Sequence, residues 1–216
     1  MKNVLCFTCS FNRPKMLREC ILGIKNQSYP IITHGVNITY KKELDIDGYF
    51  YLFEDLEDPR TIISYNENNH QHINHLLALK SVPNFMDFDI FVKIDDDDIY
   101  KKDYVKTIVQ AFEDEDVDIV SSRQRVQLNG TKIRHMNQHN LGANPDKYDF
   151  AMPMTFAFNR KALALILPLH ELYHYEDKIW RDVWAKNHLK HREIDNTRNT
   201  VWHIHGNNVS TSSFLK

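Results

Sequence analysis

Residues 90–98 read Ile90-Phe91-Val92-Lys93-Ile94-Asp95-Asp96-Asp97-Asp98, a nearly apolar run that breaks without a linker into four aspartates. Five residues are too few for a helix, and the β-branched and aromatic types predict a buried strand. Side chains alternate along a strand, so Asp95 and Asp97 are expected to project to one side and Asp96 to the other. Two carboxylates close together on one side need a cation between them. A hard divalent ion such as Mg²⁺ or Mn²⁺, held by one or two carboxylates and by substrate phosphates, meets that need. Open α/β sheets take their ligands just beyond the carboxyl ends of strands, which is where this run falls. The competing reading is a solvated acidic turn with Asp98 capping a helix. A calcium-binding loop fits less well still, because the D-x-D-x-D-G pattern with its distal glutamate is absent.

Towards the N-terminus, apolar runs alternate with helical periodicity. Val4-Leu5-Cys6-Phe7 reads as a buried strand, and Pro14 suits a first helical turn. Met16, Leu17, Cys20, Ile21 and Ile24 share one helix face. Ile32 to Tyr40 and Gly48 to Phe53 read as further strands, and Ile73, Leu76, Leu77 and Lys80 have helical spacing. Towards the C-terminus, Val105, Ile108, Val109 and Phe112 form a helix stripe before the strand Ile119-Val120. Residues 129–149, with Gly130, Gly142 and Pro145, read as loop. Met154 to Phe158 is predicted as a strand, and Arg160 to Leu167 as a helix stopped by Pro168. Ile179, Trp180, Val183 and Trp184 mark another helix, with both tryptophans in the core, and Val201 to His205 a last strand. Strands alternating with helices imply an α/β chain with a mostly parallel central sheet.

The chain has 216 residues, 42% hydrophobic and 26% charged, with a formal net charge of -2. That is globular composition and length enough for a sizeable core in one domain. The charge balance argues against a nucleic-acid binder. Three cysteines offer no disulfide framework. The pair Cys6-x-x-Cys9 reads as small residues at a strand end, since no second pair exists to complete a zinc or redox site. No export signal and no stretch of about 20 apolar residues is visible, so a cytoplasmic protein is expected.

Four segments resemble glycosyltransferase family 2. Ser10-Phe11-Asn12-Arg13-Pro14, continuing Leu17-Arg18-Glu19-Cys20 to Asn26-Gln27-Ser28-Tyr29-Pro30, resembles its T-Y-N-R-P opening. Lys93 to Asp98 resembles its D-x-D motif, and Tyr175-Glu176-Asp177, just before a Trp-containing helix, its E-D segment. His203-Ile204-His205-Gly206-Asn207-Asn208-Val209-Ser210 resembles its closing R-x-H-x-x-x-x-S. The resemblance implies a GT-A fold in a single domain over 1–216. A donor half, 1–100, would end in the D-x-D motif, and an acceptor half, 101–216, would carry the closing segment.

It further implies transfer from a nucleotide-sugar, by default a UDP-sugar, to a glycan or lipid-linked saccharide, with inversion, in surface polysaccharide synthesis. Ser10, Phe11, Asn12, Arg13, Asp95, Asp96 and Asp97 would bind the donor, with Phe11 against the base. Asp95, Asp97 and Asp98 would meet a Mn²⁺ or Mg²⁺ ion, joined by His205, with His203 as its neighbour on the strand. Asp177 would be the general base and Glu176 its nearest competitor. Three positions depart from the family. Cys9 replaces a proline, Asn37 and Thr39 stand where an acidic residue is usual, and Ile73-Asn74 lacks the arginine of an A-R-N segment. All three fall in the implied nucleoside pocket and leave the base open.

Other constellations compete. His170-Glu171-Leu172-Tyr173-His174 matches the H-E-x-x-H of zinc peptidases, though Pro168 stands just ahead of the helix that motif needs. A non-catalytic sugar-nucleotide or cation-binding module would keep Asp95 and Asp97 but have no use for Asp177. His70, His72 and His75 are read as exposed histidines lining the donor cleft rather than a zinc site. Lys186, His188, Lys190, His191 and Arg192 form a basic cluster, either a solvated helix end or a contact with an anionic membrane surface.

Overall fold

The computed structural model describes residues 1–40, 58–67, 70–113, 116–123, 125–128, 132–135, 156–169 and 176–204, together with Tyr49, Phe53 and Leu56. Side chains of 123, 125–128, 132–135, 176–177 and 202–204 lie outside the described set.

Eleven strands and five α-helices are found among these residues. The strands are β1 (Val4–Phe11), β2 (Ile32–Tyr40), β3 (Thr61–Glu67), β4 (Ile90–Lys93), β5 (Ile99–Tyr100) and β6 (Ile119–Arg123), followed by β7 (Arg125–Leu128), β8 (Lys132–His135), β9 (Phe156–Asn159), β10 (His191–Asp195) and β11 (Thr200–Ile204). The helices are α1 (Pro14–Lys25), α2 (Gln71–Lys80), α3 (Tyr104–Ala111), α4 (Arg160–Ile166) and α5 (Glu176–Lys186). Seven strands make the central sheet in the order β10-β6-β9-β4-β1-β2-β3. All neighbours are parallel except where β9 lies antiparallel between β4 and β6. The mostly parallel α/β sheet is therefore as expected, and it joins the two halves of the chain through the β4–β9 pair.

Burial on both faces explains the apolar strands. Val4 and Cys6 of β1 point into a core shared with α1 and α3. Leu5 and Phe7 point the other way, into a core shared with α2, α4 and α5. The alternation puts Cys6 and Cys9 on opposite faces of one strand, so they cannot share a metal or a disulfide. α1 begins at Pro14 and buries Leu17, Cys20, Ile21 and Ile24, as its spacing predicts. Trp180 and Trp184 of α5 are fully buried. Their indole N–H groups donate to His72 Nδ1 (2.9 Å) and to the Ala162 carbonyl oxygen (2.9 Å).

Several expectations are corrected. Tyr49 and Phe53 are helical rather than part of a strand over Gly48 to Phe53. Four residues apart, their rings pack 6.1 Å from each other and join Leu17, Ile21 and Val36 in a third cluster. The outer strand is β3 instead, in register with β2 from His34↔Thr61 to Tyr40↔Glu67. In α2 the buried residues are His72, Asn74, His75, Leu76, Ala78 and Leu79, so of the stripe Ile73, Leu76, Leu77 and Lys80 only Leu76 is buried. Lys132–His135 is a strand inside the stretch read as loop, and it pairs with β7. The basic cluster is not a helix end alone, because the chain turns at His188 (φ 55°) and His191 opens β10.

Candidate functional site

The site is assembled where β1 and β4 end side by side. β1 and β4 run parallel from Val4↔Ile90 to Phe7↔Lys93, so the chain beyond Lys93 lies next to residues 8–13. β4 stops at Lys93, and the aspartates form a turn leading into β5. Strand alternation therefore does not reach the aspartates, and tertiary contacts sort them instead.

Asp96 is buried, and it shares a partner with Asp97 rather than facing the opposite side as alternation predicts. Its Oδ2 accepts from Ser10 Oγ at 2.6 Å and its Oδ1 from Arg13 Nη1 at 3.0 Å. The same Nη1 lies 2.8 Å from Asp97 Oδ2, so one guanidinium serves two adjacent carboxylates. The cation that two close carboxylates demand is, for Asp96 and Asp97, Arg13. Burial and the neighbouring Asp97 charge push the Asp96 carboxyl up to about 7, against the opposing pull of Arg13 and Ser10. Asp95 is paired with Lys93, whose Nζ is 3.2 Å from Asp95 Oδ1 and whose side chain is 1% exposed. The Asp95 backbone N–H donates to the Tyr100 hydroxyl at 2.8 Å. Asp98 is buried, and its charge adds to burial in raising the Tyr100 and Tyr104 phenols.

The opening motif reaches this cluster through a tight turn. Asn12 takes a left-handed conformation (φ 54°), which an asparagine tolerates better than most residues, and α1 follows at Pro14. The Arg13 backbone N–H donates to the Tyr49 hydroxyl at 3.1 Å. Phe11, at the end of β1, is 36% exposed. On β2, Asn37 is buried and its Oδ1 accepts from Ser64 Oγ (3.0 Å) and Asn66 Nδ2 (2.6 Å) on β3.

The closing segment returns to the same neighbourhood. β11 pairs antiparallel with β5 (Thr200↔Tyr100, Val201↔Ile99), immediately after the aspartates, in a second sheet ordered β5-β11-β7-β8. His203 lies on β11 opposite Gln127 of β7. Glu176 and Asp177 are the first two residues of α5. The side chains of His203, Glu176 and Asp177, and all of His205, His170, Glu171 and His174, lie outside the described residues.

His72 and His75 are buried rather than exposed along a cleft. The His72 ring donates through Nε2 to the Leu169 carbonyl oxygen (2.9 Å) while its Nδ1 accepts from Trp180. His75 Nε2 lies 3.2 Å from Cys9 Sγ. Sequence reasoning missed Tyr49, Tyr100 and this Cys9–His75 contact. Lys93 did leave a signal, as one lysine within a strand otherwise fit for burial. An apolar cavity of about 550 Å³ between α1 and β3, lined by Ile21, Phe53, Leu56 and Ile63 among others, lies apart from the aspartates.

No protein-family description and no curated protein matches the sequence. Solved structures do match. The mannosyltransferase PcManGT from Pyrobaculum calidifontis, in complex with GDP-Man and Mn²⁺, has a TM-score of 0.71 at 14% identity over 96% of this chain and 58% of its own. S. aureus TarS 1–349 in complex with UDP-GlcNAc has a TM-score of 0.69 at 14% identity, over 99% of this chain and 62% of its own. Glucosyl-3-phosphoglycerate synthase from Mycobacterium tuberculosis, with Mg²⁺ and UDP, has a TM-score of 0.61 at 14% identity, over 90% of this chain and 69% of its own. These are proteins of the GT-A type. The chain has the GT-A fold. It spans less than two thirds of the TarS fragment and of the mannosyltransferase.

Within this GT-A chain, the aspartates offer hard oxygen donors, with Asp97 already paired to Arg13 and Asp95 to Lys93. Among the described residues no group of three or more His, Cys, Asp or Glu side chains could hold a metal ion by itself. The aspartate run does supply carboxylates, and Mg²⁺-like ions are commonly held by one or two of these plus substrate phosphates. No helix among the described residues is long and apolar enough to cross a membrane.

Proposed function

We propose that the chain is a glycosyltransferase that takes a sugar from a nucleoside-diphosphate donor. The observation that carries this reading is the convergence of Ser10 and Arg13 on Asp96 and Asp97. Two segments more than 80 residues apart, each resembling a motif of one family, meet at the carboxyl ends of adjacent parallel strands. Neighbours of the same fold have been solved with GDP-Man, UDP-GlcNAc and UDP, which supports a nucleotide-sugar as the donor class.

In this reading residues 1–216 form one domain, with the donor half ending at the aspartates. Ser10, Phe11, Asn12, Arg13 and Asp96 bind the donor, with Phe11 against the base. Asp95, Asp97 and Asp98, with His205 and its neighbour His203, are the residues that would hold Mn²⁺ or Mg²⁺. When bound, such an ion neutralises charge on the departing diphosphate. Asp177 accepts the proton of the acceptor hydroxyl, with Glu176 as the alternative base. Its place in the first turn of α5 supports this, since a helix N-terminus favours an ionised carboxylate by about 0.3–1 kcal/mol. A UDP-sugar, inversion, and a glycan or lipid-linked acceptor in surface polysaccharide synthesis complete the proposal. A peripheral membrane contact through Lys186–Arg192 has less to draw on. His191 there is held by burial at a pKa of about 4, and Lys190 is paired with Asp116 at 2.6 Å.

The test uses Asp177→Asn beside wild type, with donor affinity by calorimetry in Mn²⁺ and transfer to saccharide acceptors. Loss of a positioned base acts on the transition state, so the variant should bind donor nearly normally and lose at least about 10²-fold in rate. An unchanged rate in Asp177→Asn and also in Glu176→Gln refutes the base. Failure of wild type to bind any nucleotide-sugar refutes the transferase.

A further inference from the structure

We propose that Cys9 is a modification site, a thiol activated by His75 and open to peroxides and soft electrophiles. The chain's three cysteines differ sharply in setting. Cys6 and Cys20 are buried, whereas Cys9 is partly exposed. Cys6 belongs to the core on the α1 side of β1, and Cys20 lies there too, 4.0 Å from Thr8 Oγ1. Cys9 points to the opposite face, where its sulfur sits 3.2 Å from His75 Nε2. The imidazole is itself fixed, 1% exposed, and stands edge-on to Phe7 (5.8 Å between centroids, 86°) and Trp180 (6.3 Å, 63°). A ring so packed keeps its nitrogen aimed at the sulfur.

With its hydrogen on Nε2, the His75 ring donates to the Cys9 sulfur and favours the thiolate, which is the reactive form. With hydrogen peroxide, the Sγ electron pair attacks one oxygen and the O–O bond breaks. The sulfur, oxidised by two electrons, becomes a sulfenic acid, and the departing hydroxide takes up a proton from solvent and leaves as water. Neither Cys6 nor Cys20 can resolve that product internally, because both are buried on the far side of β1. The second thiol must come from a small molecule, which makes Cys9 a site of reversible mixed-disulfide capping. Cys9 and Phe11 share a face, so an adduct would extend towards the proposed donor cleft. That consequence rests on the functional reading above, whereas the reactivity does not.

The folded protein is treated with iodoacetamide across pH 5–10, and each cysteine is followed by peptide mass spectrometry. Cys9 should alkylate at least about tenfold faster than Cys6 and Cys20 at pH 7, with a midpoint below the ~8.5 of a free thiol. His75→Gln should slow Cys9 and move the midpoint up, and peroxide with a sulfenic-acid trap should mark Cys9 in wild type. Equal rates at all three cysteines, or a wild-type midpoint at or above ~8.5, overturns the proposal. The wild-type profile decides the matter even if His75→Gln fails to fold.

Discussion

α1 and α2 cover opposite faces of β1 and are built on different principles. α1 buries an aliphatic stripe of Leu17, Cys20, Ile21 and Ile24, legible in the sequence as a 3.6-residue period. α2 buries His72, Asn74 and His75 beside Leu76, Ala78 and Leu79. Its polar groups are satisfied inside the protein, His72 between Trp180 and Leu169, and His75 against Cys9. Periodicity finds helices whose buried face is greasy. It misassigns the face of a helix that buries histidines, because the partners that make those histidines acceptable lie 66 to 108 residues away. Cores of the first kind tolerate change, while those of the second depend on individual hydrogen bonds.

The largest expected effect tests how closely α2 lies on the sheet. A methyl group on Gly35 of β2 would fall inside contact distance of the Ala78 carbonyl oxygen and 2.9 Å from Val82 Cγ2. Gly35→Ala should therefore cost about 3 kcal/mol, measured by denaturant unfolding. Gly23→Ala on α1 is the control. There the new carbon would sit 3.1 Å from the Tyr100 carbonyl oxygen, while helix propensity gains up to about 1 kcal/mol. A near-zero change is expected, and equal losses in both variants would erase the contrast between the two helices.

The middle effect concerns the polar core itself. Trp180→Phe keeps most of the ring but leaves His72 Nδ1 buried without its donor, and should cost roughly 2 kcal/mol. A double-mutant cycle with His72→Leu should return a coupling of about 1 kcal/mol or more, since the two residues share one bond. Additive losses would mean that the buried face of α2 is only packing.

The smallest effect is a pH dependence on the α1 side. His34 is buried, bonded through Nε2 to Thr8 Oγ1 (2.9 Å), and burial lowers its pKa to about 3. Unfolding restores a value near 6.5, so below that pH the unfolded chain takes a proton that the folded one refuses. Stability is complete above the unfolded value and is lost as pH falls towards 3. Between pH 7 and 5.5 the loss from this residue should be about 1 kcal/mol, read from urea midpoints. His34→Gln should flatten that slope, and an unaltered slope would assign the acid sensitivity elsewhere.

The candidate site divides along similar lines. The aspartate run was legible because four acids cannot continue a buried strand, so they had to sit at its end. The same logic went wrong on orientation. Alternation does not hold past Lys93, where β4 has ended, and Asp96 meets the same Arg13 nitrogen as Asp97 instead of facing the opposite side. Tyr49 was placed in a strand because the aromatic residues of 48–53 also suit β structure. Nothing local marked it as the acceptor for the Arg13 N–H.

Local chemistry along the chain was enough to establish the alternation of strands and helices, the α1 face, the buried tryptophans and the acidic end of β4. Each of these depends on contacts or periodicities within about ten residues. Three features came only from the tertiary structure: the antiparallel insertion of β9, the second sheet that brings β11 beside β5, and the single guanidinium shared by Asp96 and Asp97. The reason is physical. Strand order and ion pairing are settled by which distant surfaces can be buried together, and one sequence pattern permits many such pairings. A buried carboxylate has to find its counter-charge wherever the completed fold delivers one.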